Sequence, residues 1–225
     1  MSQFRTENMV CPACNKKAVI KLYERVDSTD AAARNSLLKG SIFRYKCSKC
    51  GYMTNIGYNL LYRNDEKHFM IYMAADRDVN GMKDAMDNIE KRANEMAPSK
   101  DFRYNVQRRI VLDSNELREK VIILEADLDD RVLEIMKHFY SSAVLENNQA
   151  EQIIECLFVI EDGEWAFEFI VDNGNHFEIP IKKELYETFK TEYSSYFSEH
   201  NEYFVNSDWA MNIYQKHEDD LAGEE

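Results

Sequence analysis

Glycine and proline are scarce in this chain, 7 and 3 among 225 residues. Their scarcity excludes collagen-like stretches and glycine-rich phosphate loops, and leaves little material for flexible linkers. No run of about 18 apolar residues occurs, which excludes an ordinary membrane-spanning helix. The opening Met1-Ser2-Gln3-Phe4-Arg5-Thr6-Glu7 lacks the apolar stretch of a secretion signal, so a cytoplasmic chain is expected. G-x-S-x-G, Walker and dinucleotide fingerprints are missing as well. His68, His138, His176, His200 and His217 form no H-x-x-x-H or H-E-x-x-H pattern, and each reads as a surface or packing residue. A catalytic role is therefore left without a motif, and a non-catalytic one is the expectation.

What is present is ordinary core material. Hydrophobic residues make up 44% and aromatics 12%, enough to exclude a disordered chain. The net charge of −13 is unevenly spread. Residues 1–75 carry 12 Lys+Arg against 6 Asp+Glu, whereas residues 126–225 carry 6 against 24. A mildly basic head thus precedes a strongly acidic body, a polarity that bears on partners.

Patterning sketches the elements. Ala18 to Tyr23 alternates as a strand does. Ser28-Thr29-Asp30 opens a helix through Leu38, and Gly40 stops it. Ile42–Lys46 reads as a second strand. Tyr52–Tyr62 and Phe69–Ala74 read as antiparallel strands around a polar turn at Arg63–Lys67. Met82, Ala85, Met86, Ile89, Ala93 and Met96 share one helical face. Ser99–Arg109 reads as a polar, basic connection. Two helices are expected from Asp113-Ser114, where Glu116 can complete a capping box, and from Asp127–Asp130. Cys156–Ile160, Trp165–Val171 and His176–Pro180, with Asn173-Gly174 at the second turn, read as a three-stranded meander. Helices near Lys182 and over Ser207–Lys216 close the chain.

The cysteines carry the chemistry. Cys11-Pro12-Ala13-Cys14 and Cys47-Ser48-Lys49-Cys50-Gly51 share C-x-x-C spacing. Two intervening residues let a tight turn aim both thiolates at one point, and two such turns make a tetrahedral sulfur cage. With Cys11, Cys14, Cys47 and Cys50 as ligands, no coordination position is open to water, so the expected zinc ion is structural. An iron centre, or redox chemistry at Cys11 and Cys14, is the alternative; redox motifs usually come as a single pair at a helix N-terminus. The 32 residues between Cys14 and Cys47 would be closed into a loop by the metal, making order in residues 1–75 depend on it.

The paired-cysteine arrangement resembles the CpXC family of prokaryotic proteins. Leu60-Leu61-Tyr62, Phe69-Met70-Ile71-Tyr72, Glu116-Leu117-Arg118-Glu119-Lys120 and Leu128–Glu134 are similar to it too, so the likeness covers about residues 7–140. Asn15 stands where glycine commonly follows such a first pair, and asparagine also tolerates the left-handed conformation. The resemblance implies a zinc-ribbon-like start followed by helices, and no particular activity.

Other candidates read blandly. Asp127, Asp129 and Asp130 could hold a divalent cation, but helix capping explains them, with Arg131 pairing to a nearby carboxylate. Cys156, in an apolar run, is expected to be a buried thiol. Leu185, Phe189, Tyr193, Tyr196 and Phe197 recur at helical spacing and read as core; Tyr186, Tyr203 and Phe204 add aromatics that would suit a protein contact. Lys16, Lys17, Lys21, Arg44, Lys46 and Lys49, with Tyr45 and Tyr52, surround the knuckles and suit phosphate and base contacts.

The expectation is an α+β protein in three segments. Residues 1–78 form a zinc-ribbon-like antiparallel sheet module, 79–145 a helical segment, and 146–225 an acidic β-meander with helices. Its expected role is protein binding or adaptor work, through the acidic, aromatic C-terminal half or by self-association, with no membrane partner. Nucleic-acid binding by the head is the second reading, and an enzyme without a recognisable motif the third.

Overall fold

The computed structural model describes residues 1–76, 79–96, 106–147, 152–172, 174–198 and 202–223. Ten strands and six α-helices lie among them, an α+β architecture with an N-terminal sheet and a C-terminal three-stranded one. The chain divides into two compact units, Met1–Val121 and Ile122–Glu225.

In the first unit, β1 (Gln3–Val10) and β2 (Lys17–Asp27) form a long antiparallel hairpin. Only the far end of β2 continues into the main sheet, where Arg25, Val26 and Asp27 pair with Leu61, Tyr62 and Arg63 of β5 (Leu60–Asn64). β6 (Phe69–Met73) and β7 (Gln107–Val111) complete the order β1-β2-β5-β6-β7. The β5–β6 pair is antiparallel, as its polar turn requires. The β2–β5 and β6–β7 pairings are parallel, so the expected antiparallel module is part of a larger mixed sheet. β5 and β6 lie in the middle and bury apolar side chains on both faces, including Leu60, Tyr62, Met70 and Ile71.

Helix α1 (Ala31–Leu38) begins where the Asp30 carboxylate accepts from the Ala33 amide at 3.1 Å, and ends at Gly40 with φ +66°. A single 3₁₀ turn, Ser41–Phe43, then leads into β3 (Arg44–Lys46), which pairs antiparallel with β4 (Met53–Asn55). The apolar stretch Tyr52–Tyr62 is therefore split between β4 and β5. Helix α2 (Val79–Met96) packs against β6 and β7 and buries Ala85, Ile89 and Ala93, the face expected from its periodicity.

The polar connection expected over Ser99–Arg109 ends instead as β7. Residues 99–105 lie outside the described ones. Arg108 and Arg109 are only 5% and 3% exposed, and the Arg108 guanidinium reaches Glu90 of α2 at 2.9 Å. Their charge concealed the strand from periodicity. β1 was concealed for the opposite reason: almost every side chain in it faces solvent.

Helix α3 (Ser114–Glu125) has the capping box its sequence offers. Asp113 Oδ1 accepts from the amides of Asn115 and Glu116, both at 2.9 Å, while Glu116 reaches back to the Leu112 amide at 2.8 Å. The unit boundary falls within this helix.

In the second unit, α4 (Asp130–Glu146) packs with α5 (Lys183–Tyr193) and α6 (Ser207–Gly223). It also lies on the meander of β8 (Ile153–Glu161), β9 (Glu164–Val171) and β10 (His176–Pro180). Asp162 and Gly163 both take positive φ in the β8–β9 turn, the geometry that lets a two-residue hairpin follow strand twist. Of the expected Asn-Gly turn, Asn173 lies outside the described residues and Gly174 has φ +79°. Phe158, Phe167 and Phe169 form the buried face of this sheet.

Candidate metal centre and the groove beside it

The two C-x-x-C sequences cap two hairpins, one long and one short, Cys11 to Cys14 joining β1 to β2 and Cys47 to Cys50 joining β3 to β4. Their backbones repeat one another. The Cys11 amide donates to Lys16 O at 2.9 Å, and the Cys47 amide to Tyr52 O at 2.8 Å. The Asn15 amide returns to Cys11 O, and the Gly51 amide to Cys47 O, both at 2.9 Å. The residue after each pair is left-handed, Asn15 at φ +57° and Gly51 at +76°, so asparagine does at the first knuckle what glycine does at the second.

The turns face each other and interleave. Cys11 Sγ lies 3.7 Å from Cys50 Sγ, and Cys14 Sγ 3.6 Å from Cys47 Sγ. All four sulfurs lie within 4.8 Å of one another. A tetrahedral ion with metal–sulfur bonds of about 2.3 Å has ligand–ligand edges of about 3.8 Å, so the spacing fits such an ion. Among the described residues this is the one group of His, Cys, Asp and Glu side chains arranged to hold a metal.

The surroundings favour thiolate at Cys47. Amides of Cys50 and Lys49 donate to Cys47 and hold its thiol down, to about 6. The Tyr52 amide donates to Cys50, but burial and the other three sulfurs push that thiol up to about 12. Four sulfurs this close resist collecting negative charge without a cation among them. Cys11, Cys47 and Tyr45 form a small buried cluster, against which Met9, Ala18, Ile20 and Ile56 pack. The Tyr45 hydroxyl is driven up to about 12 by burial first and then by Cys47, so it stays protonated.

The basic residues around the knuckles take distinct positions. Lys16 Nζ donates to Ser48 Oγ at 2.8 Å, tying one knuckle to the other. Lys21 Nζ donates to Tyr23 OH at 2.8 Å and sits 4.0 Å from the Phe4 ring centroid. Lys17 and Lys49 are exposed. Tyr52 is 38% exposed, but Tyr45 is turned into the cysteine cluster and offers no ring to solvent. Lys21, Arg44 and Lys46 line a groove of about 480 Å³ between β2 and β3.

The acidic knot does not gather into a site. Asp127 sits in a left-handed turn, and Asp130 is buried at the start of α4. Asp129 caps that helix, accepting from the Arg131 amide at 3.0 Å, and its carboxylate grips the Arg131 guanidinium at 2.7 and 2.9 Å. Cys156 is half-buried, not buried, and lies on β8, an edge strand of its three-stranded sheet. The helical aromatics are core: Tyr193 joins Ile135, Ala210 and Ile213, with Phe189, Tyr196, Phe197 and Trp209 packed around them. Tyr186 is also buried, its hydroxyl accepting from the Asp129 amide at 2.8 Å. His217 is packed against Tyr193, and His138 against Tyr214, while exposed His176 pairs with Glu168; His200 lies outside the described residues.

Two hairpins, each tipped by a C-x-x-C knuckle, bring four sulfurs together at a spacing compatible with a metal ion. The chain matches the family described as CpXC protein over residues 9–137, more than half its length, and belongs to that family. It matches no curated protein and no solved structure. No helix among the described residues is long and apolar enough to cross a membrane.

Proposed function

We propose that this chain is a non-catalytic binding protein of the cytoplasm, with a head held together by one structural zinc ion and another protein as its partner. Cys11, Cys14, Cys47 and Cys50 would supply the four thiolates. The observation that carries the zinc reading is the interleaving of the sulfurs at 3.6 and 3.7 Å, close to the edge of a zinc–thiolate tetrahedron. Zinc in such a cage has no position for water or substrate, so its contribution is folding energy. Metal analysis of protein made without added metal or chelator should find one zinc per chain. Cys50→Ser, at an exposed ligand, should weaken retention against a chelator. Protein with no zinc and an ordered head would overturn the reading.

A protein partner is supported by the polarity of the chain, a basic head before a strongly acidic remainder, and by the groove beside the knuckles. Nucleic-acid binding is the second reading, favoured by Lys21, Arg44 and Lys46 in that groove. It expects retention on single-stranded DNA that falls steeply with salt. No retention at low salt removes it.

A further inference from the structure

The groove has a second property besides charge. Lys17–Tyr23 of β2 pairs with β1 on one side and, among the described residues, with no strand on the other. β3 likewise pairs with β4 alone. The groove is lined by Ala18–Tyr23 of β2 and by all of β3, and takes no residue from β1 or β4. It therefore opens on two strand edges that no strand pairs among the described residues, the β2 edge being closed at its Tyr23 end, where that amide donates to the Tyr58 hydroxyl. Such edges present backbone donors and acceptors in the register of an extended chain.

The side chains there are of one sign. Lys21, Arg44 and Lys46 line the groove together with Ser36, Ser41 and Ser48, and no Asp or Glu does. Arg44 and Lys46 project from the same face of β3, while Tyr45 between them turns into the cysteine cluster. Across the groove, Ala18 and Ile20 of β2 pack on that cluster, so the walls are anchored by the knuckles. Ala18–Tyr23 would span roughly 20 Å, room for about six residues of an extended peptide.

We infer that this groove is a docking site for an extended acidic segment of a partner protein. The segment adds as a strand along the open edge of β2 or β3, with its carboxylates against Lys21, Arg44 and Lys46. Strand addition gives affinity through the main chain and leaves selection to the side chains. Unpaired edges favour a peptide over a nucleic acid, because a sugar–phosphate chain has no amide ladder to offer them. The inward turn of Tyr45 also removes one of the rings on which bases would stack. This inference rests on the protein-binding reading above and gives it a site.

The test uses the whole chain, purified without added metal or chelator, and a fluorescein-labelled, end-capped peptide of about eight alternating Glu and Val residues, a length matched to the groove. Anisotropy should show saturable binding that weakens as salt is raised. Lys21→Glu with Arg44→Glu should weaken it by about tenfold or more, and Lys21→Gln alone by less. Methylating alternate peptide amides should abolish binding with the charge unchanged. Zinc measured in the same samples separates the scaffold from the groove. Zinc present with no peptide bound overturns the docking site alone, whereas zinc absent with an ordered head overturns the scaffold reading. Equal binding of the methylated peptide, or a single-stranded oligonucleotide that binds more tightly and displaces the peptide, would also overturn the inference.

Discussion

Removing the Asp129 carboxylate tests how the second unit is held together. Asp129 does two things at the start of α4. One oxygen accepts from the Arg131 amide, which is a helix cap worth about 1 kcal/mol. The pair of oxygens also clasps the Arg131 guanidinium at 2.7 and 2.9 Å, with both side chains about a fifth exposed. A part-buried, charge-assisted contact of this kind contributes roughly 1–2 kcal/mol, less than a fully buried one because water screens it. Asp129→Ala should therefore cost about 2–3 kcal/mol. Asp129→Asn keeps a capping oxygen and loses only the charge, so it should cost about 1 kcal/mol. Both tryptophans, Trp165 and Trp209, lie in this unit, so urea unfolding followed by tryptophan fluorescence reports it selectively. An Asn variant as damaged as the Ala variant would refute the cap. An Ala variant within about 0.5 kcal/mol of the parent would refute the importance of both contacts.

Further outcomes are expected elsewhere. Ile213→Ala, in the cluster with Ile135 and Tyr193, should cost about 2–4 kcal/mol by the same fluorescence assay, and a loss under about 1 would show a site that collapses readily. Asn15→Val forces a β-branched residue to φ +57° and should lower head stability by about 1–2 kcal/mol, whereas Asn15→Gly should be tolerated; equal behaviour would contradict the knuckle geometry. The Asp30 carboxyl is held below its ordinary value of 3.8, chiefly by the Ala33 amide, so its cap is complete above that value. The cap is lost as pH falls through the lower folded value. A carbon-detected titration giving Asp30 at or above 3.8 would contradict the cap.

The two cysteine knuckles were legible in the sequence because each rests on local spacing: two residues between cysteines suit a tight turn, and the four sulfurs do lie together. Caps were legible for the same reason, at Asp30, at Asp113 with Glu116, and at Asp129. What escaped was set by tertiary contacts. β7 could not be read from Gln107-Arg108-Arg109, because Arg108 is buried against tertiary partners that include the Glu90 carboxylate of α2. β1 could not be read because it has no buried face. The parallel pairing of β2 with β5 depends on a crossover through α1 and the second knuckle, which no local pattern announces. The direction of Tyr45 depends on the sulfur cluster it packs against.

Zinc-edge X-ray absorption on protein purified without added metal or chelator measures the coordination shell itself. Four sulfurs at about 2.3 Å, with no nitrogen or oxygen neighbour, is the expected shell. A shell with fewer sulfurs, or a well-ordered head in which zinc gives no signal, would contradict a fold knotted together by Cys11, Cys14, Cys47 and Cys50.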